Sequence, residues 1–175
     1  VAAGQQAILA DVVGQIPESG SAGLEVQADR PVLVSSRTYN QVASTALCYP
    51  GGTFGQNYDA YLPTRTLAAG AMAYLPQLQE NAAYRTNIAL TNSGTTAAKV
   101  TVTLHDGSGA QVGQYTVDLA PGQYKQENKP FATKAGRTNL AAGYAKVTVT
   151  QGSGIIASAS VVDNLTNDPT TMPAI

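Results

Sequence analysis

The sequence predicts an all-β protein, an antiparallel β-sandwich of about one and a half tandem units. Two observations carry this expectation. Apolar and polar residues alternate in short runs along most of the chain, and Gly-, Asn- and Asp-rich turns separate the runs. The chain also repeats itself. Val1–Gln5 (VAAGQ) matches Leu119–Gln123 (LAPGQ), Val13 falls opposite Phe131, and Val26 opposite Val147. Val32 to Asn40 lie opposite Ile156 to Asn164, and Leu62-Pro63 opposite Met172-Pro173.

Taken in order, Ile8, Leu9, Val12, Val13 and Ile16 are spaced as in a short helix, and an edge strand followed by a helical turn fits them too. After a Pro17–Ser21 loop, Leu24, Val26 and Ala28 alternate before Asp29-Arg30-Pro31, and Val32, Val34 and Ser36 alternate after it. That pattern predicts a first hairpin. From Asn40 to Gln56 the alternation gives way to a long loop with Pro50, Gly51, Gly52 and Gly55, a length often associated with function or contacts. Residues 57–66 are expected to add an extended piece. Tyr84, Thr86, Ile88 and Leu90 line one face of a strand that Asn92-Ser93-Gly94 ends. The plainest hairpin follows: Val100, Val102 and Leu104, an Asp106-Gly107 turn needing positive φ, then Val112, Tyr115, Val117 and Leu119. Residues 142–164 read as another, with Val147 and Val149 before Gln151-Gly152-Ser153-Gly154, and Ile155, Ala157, Ala159 and Val161 after it. The Leu165–Ile175 tail is extended and limited by prolines.

The repeat sets the expected organisation: residues 1–63 as the latter half of a first sandwich unit and residues 64–175 as a complete second one. Half a sandwich leaves strand edges unpaired and half a core uncovered. Three resolutions follow: upstream strands were cut off, a neighbouring chain supplies them, or the half unit docks on the full one.

Composition narrows the function classes. Charged residues are only 12% of the chain, against about 25% in an ordinary globular protein, and Thr, Ser, Gln and Asn supply the polar surface instead. A net charge of −1 gives no footprint for nucleic acid or an anionic membrane. No apolar run reaches the length of a membrane helix. The first residues lack the basic start of a secretory signal and read as mature protein, in keeping with processing or truncation upstream. The single cysteine, Cys48, excludes an intramolecular disulfide and a Cys-based metal site; an incidental loop residue is the simpler reading, interchain pairing the alternative.

The strings YRTNIALTN (84–92), SSRTYNQ (35–41), GGTFGQ (51–56), LPQLQEN (75–81) and ASASVVDNLTNDPT (157–170) resemble modules of large secreted bacterial proteins, often appended to extracellular proteases and other surface proteins. The resemblance covers nearly the whole chain. It implies two Ig-like β-sandwich units in tandem and an extracellular or cell-surface location. Members of this kind usually carry a further RTD-type strand and hairpin upstream, absent here, and the Cys48 segment is longer than their pattern. The resemblance implies no particular activity.

Candidate chemistry is sparse. The one histidine, His105, is expected at an exposed hairpin tip, and Glu18, Glu25, Glu80 and Glu127 are scattered, so no catalytic residues are predicted. Asp163, Asn164, Asn167 and Asp168 offer the hard oxygens calcium prefers, yet Asp and Asn serve turns equally well, and turn chemistry is the preferred reading. No cofactor is expected apart from that weak calcium candidate. Arg37 and Arg85 are expected in structural pairs, with Glu80 or Glu127 as partners. Tyr39, Tyr49, Phe54, Tyr58 and Tyr61 crowd one region and fit three roles: a cap on the sandwich, a protein contact or a sugar platform. The expected function is non-catalytic: a structural or adhesive surface protein that associates with itself or with neighbouring sandwiches, as a subunit of a surface assembly or filament completed by strand sharing. The alternative is a carbohydrate-binding module of a secreted enzyme.

Overall fold

The computed structural model describes residues 1–15, 20–45 and 50–175, and in them the chain forms ten strands and one short α-helix. Strands β1 (Ser35–Gln41) and β2 (Thr53–Asp59) pair with each other. The remaining eight build a sandwich. One layer, in the order β3-β8-β5-β6, comprises β3 (Met72–Glu80), β8 (Leu140–Gln151), β5 (Ala98–Asp106) and β6 (Gln111–Leu119). The other, in the order β10-β9-β4-β7, comprises β10 (Pro169–Pro173), β9 (Ile155–Asp163), β4 (Tyr84–Asn92) and β7 (Tyr124–Asn128). Every neighbouring pair is antiparallel. The chain is therefore an all-β protein with sandwiched antiparallel sheets.

The alternation in the sequence decides which side chains fill the space between the layers. Val100, Val102 and Leu104 of β5 and Ala145, Val147 and Val149 of β8 are all buried from one side. Ile88 and Leu90 of β4 and Ala157 and Ala159 of β9 complete the same core from the other. Each large apolar side chain so buried stabilises the fold by roughly 1.5–3 kcal/mol. The helix α1 (Pro130–Ala135) adds Phe131, which is completely buried in this core. Pro130 suits the first helical turn, and Gly136, at φ 64°, ends it by donating its N–H to Ala132 O. The free N–H groups at the start of α1 are met by Glu80, far away in sequence: its carboxylate accepts from Phe131 N at 3.3 Å and Ala132 N at 2.6 Å.

Not every expected hairpin pairs as one. β5 and β6 do, with Asp106 Oδ1 accepting the N–H groups of Ser108 and Ala110 across the turn. Residues 142–164 do not: β8 and β9 belong to different layers. Gly152 and Gly154, at φ 83° and 82°, carry the chain from one sheet to the other, and Ser93 N donates to Gly154 O at 2.8 Å. Positive-φ glycines between two alternating runs look the same in sequence whether the strands pair or arch.

The N-terminal region departs further from expectation. Residues 21–34 contain no strand, so the hairpin read around Asp29-Arg30-Pro31 is not formed. The pairing strand starts at Ser35 and meets β2, which takes in residues 53–56 of the stretch assigned above to a loop. Alternation at Leu24, Val26 and Ala28 has no opposing layer to bury it; all three are exposed. The spacing from Ile8 onwards yields only a 3-10 turn at Val13–Gln15, where Asp11 Oδ1 accepts Gly14 N at 3.1 Å; Ile16 lies outside the described residues.

The repeat nevertheless has a backbone signature. Gly4 and Gly122 adopt φ 72° and 70°, and the same turn bond closes over each: Gln5 N to Ala2 O at 3.0 Å, Gln123 N to Ala120 O at 3.1 Å. The β1–β2 pair likewise corresponds to β9–β10. The N-terminal region rests against the β10-β9-β4-β7 layer. Thr171 Oγ1 lies 3.0 Å from Asn57 O and 3.3 Å from Gln56 Oε1, and a Cβ at Gly23 would come 3.1 Å from Thr91 Cγ2. This contact between the N-terminal region and the eight-stranded sandwich leaves β1 exposed along its whole length.

Candidate functional site

The aromatic cluster divides between two faces of one hairpin. In the β1–β2 register Tyr39 stands opposite Gly55, whereas Phe54 stands opposite Asn40 and Tyr58 opposite Ser36. Because side chains alternate, Tyr39 shares a face with Arg37 and Asn57, and Phe54 and Tyr58 share the other with Gln56. Tyr39 is exposed and lies under the Arg37 guanidinium, 5.3 Å from ring centroid to Cζ, while Arg37 also donates to Thr53 Oγ1 at 2.8 Å. Phe54 and Tyr58 are half-buried. The Tyr58 hydroxyl contacts the Gln56 amide, and burial raises its pKa. Tyr61, just past β2, is exposed; burial and the nearby Asp59 carboxylate raise its pKa. Tyr49, like Cys48, lies outside the described residues, as does Glu18.

The Asp163–Asp168 loop is occupied by a cation of the chain's own. Arg85 sends Nη1 to Asn164 Oδ1 and Nη2 to Asn167 Oδ1, both at 3.0 Å. Asn164 Nδ2 donates in turn to the carbonyls of Asn81 and Ala82, which ties the loop to the β3–β4 connection. Asp163 Oδ1 accepts the N–H groups of Leu165 and Thr166, both at 2.8 Å, and these bonds lower its pKa. Asn167 sits at φ 61°, the left-handed conformation that Asn tolerates. The turn thus takes Asp163 Oδ1, and Arg85 takes the carboxamide oxygens of Asn164 and Asn167, half of the six side-chain oxygens that calcium could use. Among the described residues no group of three or more His, Cys, Asp or Glu is arranged to hold a metal.

Arg85 therefore pairs with two neutral amides, not with Glu80 or Glu127 as expected. Glu80 is only 3% exposed and turned towards α1; burial raises its pKa, against the opposing pull of the α1 amides and Lys129. Glu127 bridges to Lys134 at 3.2 Å and accepts from Thr133 Oγ1. His105 also differs from expectation. Its ring stacks on Tyr144, with centroids 4.5 Å apart and planes within 2°, and its Nδ1 meets Gly109 O at 3.1 Å. A ring so clamped is not free at a hairpin tip.

Concavities open on the sandwich, among them two lined largely by polar residues. One, of about 590 Å³, lies between β3 and β10 and is lined by Gln77, Gln79, Tyr84, Asp163, Asp168 and Met172 among others. The second, of about 520 Å³, is lined by Arg85, Asn87, Asn128, Lys129 and Asn164. The polar groups of Asn87 and Lys129 gave no signal in the sequence, because strand-face amides and surface lysines are common. Lys129 does carry one clue: it precedes Pro130 and is held at φ 52°, uncommon for a residue with a Cβ.

No family model matches the chain, and no curated protein matches it either. Among solved structures the chain is similar to the crystal structure of Thermotoga maritima 1070, at 15% identity and a TM-score of 0.47, covering 62% of this chain and 93% of that one. No helix among the described residues is long and apolar enough to cross a membrane.

Proposed function

We propose that this is a non-catalytic extracellular protein of structural or adhesive function, whose N-terminal region is completed by β-strands of a neighbouring sandwich. The observation that supports this reading is the contrast between equivalent positions of the repeat. Phe131 and Ala157 are buried, yet their counterparts Val13 and Leu33 are 51% and fully exposed. The edge of β9 is paired with β4, whereas β1, its counterpart, pairs only with β2 among the described residues. An exposed edge next to uncovered apolar side chains is the arrangement that strand addition satisfies: backbone bonds supply affinity and side-chain alternation sets register. If each copy offers an edge and completes another, the association runs head to tail and stays open. The absence of catalysis is supported by the clamped His105 and by carboxylates engaged in turns and caps. Sugar binding through Tyr39, Tyr49, Phe54, Tyr58 and Tyr61 has less support, since the described members do not share one face.

Light scattering on the native protein, with intact mass measured on the same sample, tests the proposal. Oligomers that dissociate on Leu33→Lys are expected. A monomer at all concentrations, unchanged by that substitution, refutes completion by a neighbour.

A further inference from the structure

We propose that the concavity formed by Arg85, Asn87, Asn128, Lys129 and Asn164 binds the carboxylate-bearing sugar of an acidic polysaccharide, a uronic acid residue. The site lies in the eight-stranded sandwich, and its lining comes from β4, the end of β7 and the turn after β9, with no residue of the N-terminal region. Its lining contains no apolar or aromatic side chain. Two of its five residues are cations and three are carboxamides, so charge and hydrogen-bonding capacity are both present without a hydrophobic wall of the kind a peptide side chain would seek.

The cations are available to a ligand. Neither Arg85 nor Lys129 forms a salt bridge among the described residues, where the ion pairs are Lys99–Asp118 and Lys134–Glu127. The neighbouring acids spend their oxygens elsewhere: Glu80 feels the Lys129 charge but accepts from the amides of Phe131 and Ala132, and Asp163 bonds within its own loop. The Arg85 guanidinium uses two N–H groups on neutral acceptors, Asn164 and Asn167, which hold it in place and leave its charge uncompensated and three N–H donors unused. A positioned guanidinium matches a carboxylate with little further loss of side-chain freedom.

The amides add the second half of the recognition. Asn87 and Asn128 face each other across the β4–β7 pair. Asn128 Oδ1 accepts from Gln126 Nε2, and among the described residues neither the Asn128 NH₂ nor the Asn87 amide has a side-chain hydrogen bond of its own. An amide that both donates and accepts suits sugar hydroxyls. Lys129 is fixed from the backbone side: its N–H donates to Thr86 O at 2.8 Å, and its left-handed φ sets the direction in which the side chain leaves. A carboxylate between Arg85 and Lys129, with ring hydroxyls over Asn87 and Asn128, satisfies the donors that the fold leaves unused.

The test is titration of trigalacturonate into the full chain by calorimetry, with the fully methyl-esterified trisaccharide and sodium sulfate as separate probes. Trigalacturonate is expected to bind. Lys129→Gln and Asn87→Asp should each weaken it about tenfold or more, the loss of a charge-assisted hydrogen bond or the gain of a repelling charge. Asn87 is half-buried on β4 and Lys129 is exposed between β7 and α1, and an unchanged amide fingerprint in NMR confirms that the variants fold. No binding at millimolar trigalacturonate overturns the proposal, as does affinity unchanged in both variants or equal affinity for the methyl ester. Sulfate binding as tightly as trigalacturonate overturns the saccharide assignment and leaves only a bare anion site.

Discussion

Replacing Glu80 by alanine tests how α1 is held on the sandwich. The side chain is buried, and its carboxylate accepts the N–H groups of Phe131 and Ala132. Hydrogen bonds to a charged acceptor contribute about 1.5–3 kcal/mol each, and a buried N–H left without a partner costs about 1–3 kcal/mol. Against this, alanine removes a carboxylate whose burial is unfavourable, as its raised pKa shows. The balance is a loss of about 2–3 kcal/mol, which for a chain of this size lowers Tm by roughly 5–10 °C. Glu80→Gln keeps one good acceptor and should lose about half as much. Urea unfolding followed by tyrosine fluorescence suits the assay, since the chain has nine Tyr and no Trp. The same residue gives a pH signature. Its folded-state pKa is raised, so the stability it contributes on protonation is fully present below its ordinary value of 4.5 and is lost as pH rises through the raised one. The stability difference between wild type and Glu80→Gln should therefore shrink from pH 4 upward across that window. An alanine variant within about 0.5 kcal/mol of wild type, the scatter of an ordinary surface substitution, would refute the capping role.

Two further substitutions probe the crossings and turns. Gly154→Ala places a Cβ at φ 82° and 2.4 Å from the backbone nitrogen of Gly94, so it should destabilise by about 2–4 kcal/mol in the same urea assay. Near-neutral behaviour would mean that β8 and β9 do not arch over Ser93–Gly94. Asn164→Ala removes one of the two acceptors of Arg85 and two bonds to the β3–β4 connection, and about 1–2 kcal/mol should be lost. With Arg85 occupying those oxygens, millimolar calcium or a chelator should leave the wild-type Tm within about 1 °C; a calcium-dependent rise of several degrees would refute that occupancy.

Alternation and turn chemistry made the layers legible in the sequence, because period two places Val100, Val102 and Leu104 on one side of any strand whatever its neighbours are. The β5–β6 hairpin was legible for the same reason, its Asp106-Gly107 turn being local. The turns at Gly4 and Gly122, matched in sequence, also adopt the same positive φ. Partner choice was not legible. Whether the run after Gly154 folds back on β8 or crosses to β4 depends on which edges the rest of the chain leaves open, and no local pattern encodes that. The same holds for Arg85, Glu80 and the Asn87–Lys129 concavity, whose members meet across separations of tens of residues. What the sequence by itself determined is the set of faces, apolar and polar, that each strand must present. Only the tertiary structure decided which strands share a sheet, which charges meet neutral partners, and which edge is left unpaired, because those outcomes follow from the packing of distant segments and not from the residues beside them.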